Sequence, residues 1–198
     1  FIGVRDERTG THMADGYARA SNQPGVIIAG QNGPGATNLV TGLAQAKAAF
    51  SPVISLAGLY STKDKIEDAF QGLDQQSLFE PVTKKTFTVK KVNNITKILG
   101  DAFKIAMSDR RGPVCVNLPR NILAEKVSSK FKINRKSYTN QSNIFAKNKL
   151  IKKAISIISK SKKGVIIAGG GIKYNSSYKN VTNLAEYLYM PIVTAAGH

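Results

Sequence analysis

Two histidines, one cysteine and 12 acidic residues in a chain of 198 leave few groups for proton transfer or nucleophilic attack. The most suggestive carboxyl is Glu7, in the run VRDERTGTHMADGYARA. A positioned carboxyl can pass a proton if its surroundings tune it. By its flanks alone, Asp6 and Arg8, Glu7 reads as a surface charge. His12 shares a helical stretch with Met13 and Tyr17 and reads as a packed or capping histidine, with Tyr17, Ala14 and Ala18 as core. His198 is the last residue and supports no reading. Cys115, in the apolar run PVCVNLP, argues against disulfides and fits a reducing, cytoplasmic setting. No Cys or His cluster has metal-ligand spacing, so no metal site is expected in these residues.

Glycines supply the second kind of candidate. GVIIAG occurs at 25–30, leading into QNGPGATN, and again at 164–169, leading into GGI. A strand that empties into a glycine turn and then a helix can hold a phosphate on backbone amides. Gly33, Pro34 and Gly35 fit the start of a dinucleotide fingerprint, but Asn38 stands where its last glycine belongs. Pro34 removes an amide that a phosphate cradle would use, and no Lys-Ser or Lys-Thr pair follows. A tight turn with unusual backbone angles is the alternative. Gly169, Gly170 and Gly171 raise the same choice between a nucleotide contact and a turn.

The elements that must position these groups follow from hydrophobic period. Residues 9–21 suit a helix with Met13, Tyr17 and Ala20 on one face, closed by Asn22, Pro24 and Gly25. The runs at 26–29, 53–58 and 113–119 read as buried parallel strands. A small-residue helix is expected over 36–49, a short helix over 73–79 and an alternating strand over 86–90. Asn94 is expected to cap a helix through Met107, with Ile95, Ile98, Leu99, Ala102, Phe103 and Ala106 inward. Strands alternating with helices predict an α/β fold with a doubly wound parallel sheet. Residues 1–123 form this first domain, 124–146 a polar linker, and 147–198 the start of a second Rossmann-like domain. That second part is read as a helix at 147–160, a strand at 164–169, a helix at about 177–189 and a strand at 191–195. The abrupt start at Phe1 and the end at PIVTAAGH are read as the limits of a piece of a longer protein.

Net charge is +17 and unevenly spread: residues 126–163 hold 12 Lys or Arg and no acid. A basic block of this kind can bind nucleic acid, with steep salt dependence. Its Ser, Asn and Ile content and sparse aromatics (Phe131, Tyr138, Phe145) favour a solvated linker and helix face. No run approaches the roughly 18 apolar residues of a membrane span. Neither nucleic acid nor membrane is expected as a partner.

VRDERTGTHMADGYARA, QNGPGATNLVTGLAQA, DAFQ, EPVTKK and RRGPVCVNLP occur in one order that resembles the pyrimidine-binding domain of thiamine-diphosphate-dependent enzymes. The resemblance is strongest to the acetolactate synthase group, and GVIIAGGGI with PIVT is similar to the start of that group's central domain. It implies thiamine diphosphate as cofactor, with Mg2+ held by a diphosphate-binding domain outside these residues. It also implies a homo-oligomer with the active site at a subunit interface and a small 2-oxo acid substrate. The implied chemistry is decarboxylation followed by carboligation. Sulfoacetaldehyde acetyltransferase-like and oxalyl-CoA decarboxylase-like activities are the alternatives within the group. An NAD(P)-binding oxidoreductase and a basic nucleic-acid module are the alternatives outside it.

Carried over residue by residue, the resemblance makes Glu7 the catalytic carboxyl that exchanges a proton with the cofactor's pyrimidine ring, so that its thiazolium C2 can be deprotonated. Such a carboxyl needs an apolar surrounding, and FIGV before it suggests a strand entering a buried place. Many relatives have His-Glu-Gln where this chain has Asp6-Glu7-Arg8. Arg8 is left to pair with a carboxylate, to face solvent, or to hinder proton donation by Glu7. Asn32, Gly33, Pro34 and Gly35 become cofactor-site residues that shape a pocket at the pyrimidine end. Phe70 and Gln71 match a Phe-Gln pair that borders the substrate, Phe70 as a cofactor-site residue and Gln71 as one that orients substrate, although Gly72 departs from the usual Glu. Lys84 matches a lysine of the group, with a solvated lysine as the alternative. Gly169, Gly170 and Gly171 become a contact for FAD or ADP, which some members of the group bind and others do not.

Overall fold

Asp6 begins the first helix. Its side chain accepts from the backbone N–H of Arg8 at 2.8 Å and of Thr9 at 3.4 Å, which satisfies donors that a helix start leaves unpaired. Helix α1 therefore spans Glu7–Ser21, two residues more than 9–21, and places Glu7 in its first turn. Asn22 closes it in the left-handed region, φ 60°. Residues Phe1 to Arg5 form no strand and lie exposed, so the expected buried strand ahead of Glu7 is not there.

The computed structural model describes residues 1–108, 110–127, 145–174 and 177–195. The chain divides into two compact units, Phe1–Gln141 and Ser142–His198. Most of the expected 124–146 linker, and His198, lie outside the described residues.

The first unit is an α/β layer structure. Strands β1 (Gly25–Ala29), β2 (Val53–Leu59), β3 (Lys85–Thr88) and β4 (Val114–Pro119) form one sheet in the order β1-β2-β4-β3. Every pairing is parallel. The crossovers are α2 (Pro34–Ala48), α3 (Gln75–Phe79) and α4 (Ile95–Met107), and the short α5 (Arg120–Leu123) follows β4. On one face of the sheet Ala14, Ile27, Ala36, Leu39, Leu43 and Phe79 bury together. On the other, Ala102 and Ala106 of α4 pack on Ile54, Val114 and Val116. Burial of this apolar area, at about 25 cal/mol per Å², drives the layering.

Three expectations change here. The inward face of α1 is Gly10, Thr11, Ala14, Asp15 and Ala18, while Met13 and Tyr17 are 44% and 56% exposed. The reason is close packing: a Cβ on Gly42 of α2 would lie 2.5 Å from the Thr11 Cβ, so only a small-residue face of α1 fits there. The spacing of the large apolar residues pointed to the wrong side. Strand β1 is not buried on both faces, since Val26 and Ile28 are about half exposed. Helix α4 packs on β2, β3 and β4, and among the described residues nothing comparable covers that side of β1. Asn94 precedes α4 but its side chain makes no capping hydrogen bond; a 3-10 turn, Val92–Asn94, leads into the helix instead.

The second unit contains α6 (Asn148–Ile158), β5 (Ile166–Ala168), α7 (Gly171–Tyr174), α8 (Tyr178–Leu188) and β6 (Ile192–Thr194). β5 and β6 pair in parallel, Ile166 opposite Ile192, across the helical crossover. No helix among the described residues is long and apolar enough to cross a membrane.

Candidate active site

In a parallel sheet, ligands bind outside the carboxyl ends of the strands. β1 ends at Ala29, and the turn Gly30–Gly33 carries the chain straight into α2. Gly33 is the residue before the helix, at φ 61° and ψ −103°, a conformation that glycine alone adopts without strain. Pro34 then fills the first helical position, where a missing N–H does no harm.

The turn is held by a second segment. Asn32 Nδ2 donates to the backbone carbonyls of Phe70 at 2.9 Å and Gln71 at 3.0 Å. Gln31 Nε2 donates to Gln71 Oε1. Gln71 itself sits at φ 56°, a left-handed conformation unusual for a side-chain-bearing residue. A Cβ on Gly33 would stand 2.7 Å from the Gln71 carbonyl oxygen. From below, Gln75 accepts the Gly33 N–H at 3.2 Å and donates to the Gly58 carbonyl at 3.0 Å and to Asn117 Oδ1 at 3.1 Å. Gln75 is 1% exposed. Its one amide ties the turn to the ends of β2 and β4.

Glu7 meets this turn from α1. Its Oε2 accepts from Asn38 Nδ2 of α2 at 3.0 Å. Its Oε1 lies 3.2 Å from where a Cβ on Gly35 would be. The carboxyl is half-buried and rests against the turn at the start of α2. Arg8, adjacent in sequence, is turned to Asp6: Nε to Oδ1 is 3.2 Å and the terminal nitrogen to Oδ2 is 3.0 Å. That pairing holds the Asp6 carboxyl down at about 2 and pushes the Arg8 guanidinium up. The cation that sequence left open is committed to its own helix cap.

The structure thus brings Glu7, Asn32, Gly33, Pro34, Gly35, Phe70 and Gln71 to one end of β1. Phe70 projects outward and is 78% exposed. Lys84 does not join them. It precedes β3, at the opposite end of the parallel strands, and its Nζ donates to the carbonyls of Ile105 at 2.5 Å and Ser108 at 2.8 Å, closing the C-terminus of α4. It is therefore not a solvated lysine. His12 is exposed, neither packed nor capping. Cys115 is buried and its thiol is pushed up to about 12 by that burial, which makes it a poor nucleophile. Gly169, Gly170 and Gly171 lie in the second unit, at the turn from β5 into α7. A Cβ on Gly169 or Gly171 would meet nothing within 4 Å.

Sequence reasoning missed Asn38, Gln31 and Gln75. In the sequence Asn38 stands out only as the absent third glycine of a fingerprint. Its place one helical turn after Pro34, on the side facing α1, was the available signal. Gln75 follows Asp74, whose side chain caps α3 through Ser77 at 3.1 Å. A polar residue in the first turn of that short helix gave no hint of burial.

No group of three or more His, Cys, Asp or Glu converges among the described residues. The site offers a carboxyl, a bare glycine beside it and a rigid turn. Such a set can exchange a proton with a group docked at the turn.

Comparison with known proteins bears on what that group is. Residues 1–78 match the family described as thiamine pyrophosphate enzyme, N-terminal TPP binding domain. Over 196 residues the chain is 40% identical to a probable acetolactate synthase large subunit of Methanocaldococcus jannaschii, covering 96% of this chain and 33% of that one. It is 37% identical over 194 residues to the acetolactate synthase large subunit of Buchnera aphidicola subsp. Schizaphis graminum, covering 97% and 34%. It is also 37% identical over 194 residues to the acetolactate synthase isozyme 3 large subunit of Escherichia coli, covering 96% and 33%. The chain spans about a third of the length of these curated relatives.

Proposed function

The chain belongs to the thiamine-diphosphate-dependent enzymes, in their acetolactate synthase-like group, and from that premise we propose that the protein decarboxylates a 2-oxo acid and joins the remaining acyl unit to a second carbonyl. Thiamine diphosphate, when bound, supplies a nucleophilic carbon and a sink for the electrons released with carbon dioxide. The residues of this chain supply the pyrimidine end of its pocket. Glu7 holds a proton at Oε1 and exchanges it with a ring nitrogen. Gly35 leaves room for the ring beside that oxygen, since any side chain there would press on the carboxyl. Asn32, Gly33 and Pro34 form the wall, kept rigid by Phe70, Gln71 and Gln75. Gln71, whose side-chain amide is held at the turn by Gln31, would orient the substrate carboxylate.

The observation that carries this reading is the Glu7 carboxyl held 3.0 Å from Asn38 with its other oxygen at the Gly35 turn. The names of the relatives support carboligation over acetyl transfer and over acyl-CoA decarboxylation. Mg2+ would sit with the diphosphate, beyond these residues. A flavin or an adenine nucleotide would lie at the bare backbone of Gly169 and Gly171. Because Val26 and Ile28 leave an apolar side of β1 exposed, a homo-oligomer with the site at the subunit contact fits the same reading.

The test is turnover of the complete protein with pyruvate, Mg2+ and thiamine diphosphate, followed as carbon dioxide release. Glu7→Gln is expected to lower it at least about 100-fold, the scale of a lost general acid–base, while coenzyme binding largely survives. Unchanged turnover in that variant would remove Glu7 from the chemistry.

A further inference from the structure

We infer that Asn38 is a positioning residue that favours Oε1 as the seat of the exchangeable proton of Glu7. This rests on the reading of Glu7 given above. Among the described residues, the Asn38 Nδ2 contact at 3.0 Å is the one hydrogen bond to the Glu7 carboxylate. An ionised carboxylate only accepts hydrogen bonds. Asn38 must therefore present its N–H, and that N–H occupies Oε2. A proton placed on the same side of Oε2 would face another proton, and one on its remaining lone pair would weaken the hydrogen bond that Asn38 makes. The remaining oxygen, Oε1, is the one beside Gly35, where the ring edge would lie. The proton then moves between Oε1 and the ring nitrogen, because the amide N–H makes Oε2 the poorer seat.

Asn38 is suited to this by where it stands. It lies on α2 between Ala36 and Leu39, both fully buried, so its backbone is fixed by the core. The long side chain of Glu7, in the first turn of α1, has no such anchor. The nearest cation in sequence, Arg8, is engaged with Asp6. A neutral amide orients the carboxylate without adding a charge that would hold the proton away from it. Lysine or arginine at 38 would orient and also neutralise.

The experiment compares Asn38→Leu, Asn38→Asp and Glu7→Gln in the complete protein. Readouts are kcat and KM for pyruvate, thiamine diphosphate binding by calorimetry, and the circular dichroism of the bound aminopyrimidine. Asn38→Leu keeps the bulk but loses the donor. It is expected to lower kcat about 10- to 100-fold, the range for a hydrogen bond to a charged group, with less than about threefold change in KM, and to weaken the aminopyrimidine signal. Asn38→Asp sets two carboxylates face to face and should be slower still. Its loss should be partly recovered as pH falls, because the introduced carboxyl, once protonated, becomes a donor to Oε2. A purely structural role for Asn38 would make the acid recovery follow the folded fraction read by urea unfolding, whereas recovery of kcat in protein folded throughout decides for positioning, even if the Leu variant does not fold. Wild-type kcat and dichroism in Asn38→Leu, with Glu7→Gln inactive, would overturn the role of Asn38 alone. Wild-type turnover in Glu7→Gln would overturn both readings.

Discussion

GVIIAG at 25–30 runs into Gln31–Gly35, and the same letters at 164–169 run into Gly170 and Gly171. At the first turn a methyl group on Gly33 would meet the Gln71 carbonyl at 2.7 Å, and one on Gly35 would meet Glu7 Oε1 at 3.2 Å. At the second, a methyl on Gly169 or Gly171 would meet nothing. Among the described residues, the first strand is the edge of a four-stranded sheet and the second pairs with β6 alone. Glycine at the first turn is demanded by what surrounds it: the 70–71 segment, the amide of Gln75 and the carboxyl of Glu7. Glycine at the second turn is demanded by nothing in the described protein. Identical spelling thus serves two physical situations, and only the neighbours tell them apart.

The sharpest way to break this contrast is Gly33→Ala. Its backbone is in a region costly for any side chain, by about 1–3 kcal/mol, and the new methyl is pressed on a backbone carbonyl that cannot swing away. We expect a loss of about 3 kcal/mol or more, read from the urea midpoint of the protein. A change below about 1 kcal/mol would mean that the turn relaxes freely and that the grip of the 70–71 segment is not what holds it.

Gln75→Leu tests the support from below. The leucine fits the volume but leaves the Gly33 N–H, the Gly58 carbonyl and the Asn117 side-chain Oδ1 without their shared partner. Unmet buried groups cost about 1–3 kcal/mol each when water cannot reach them. A net loss of about 2–3 kcal/mol is expected after gains from the apolar side chain. Faster hydrogen exchange at the Gly33 amide should accompany it. Protection of that amide unchanged from wild type would show that Gln75 does not hold the turn.

Much of the layering was legible in the sequence because continuous apolar runs such as 53–58 and 113–119 admit few readings once helices alternate with them. What was not legible depended on neighbours. Met13 and Tyr17 look inward by spacing, but the closeness of α1 to α2, set by Gly42 against Thr11, selected the small residues instead. VIIA at 26–29 looks buried on both faces, but that needs a covering layer, and α4 covers the other strands. The site divides in the same way. Glu7 and the QNGPG turn were visible as motifs, whereas their contact runs through Asn38, which has no signature of its own. The commitment of Arg8 to Asp6 was hidden because two adjacent opposite charges can each turn elsewhere.

The smallest expected effect sits at the second turn, and its smallness is what gives it value. Gly169→Ala and Gly171→Ala introduce methyls into open space, with no positive φ recorded at either position. Gly171 is the first residue of α7, where alanine is if anything the better helix former. Both variants should stay within about 0.5 kcal/mol of the parent in thermal or urea unfolding. A larger loss would show that this turn is crowded after all and erase the contrast with Gly33. If stability holds, the same two variants become clean probes of the ligand question. A methyl that costs nothing to the fold can reduce FAD or ADP binding only by standing where the ligand needs to lie. Titration of both variants with FAD and with ADP would then separate a glycine kept for a ligand from one kept for no structural reason.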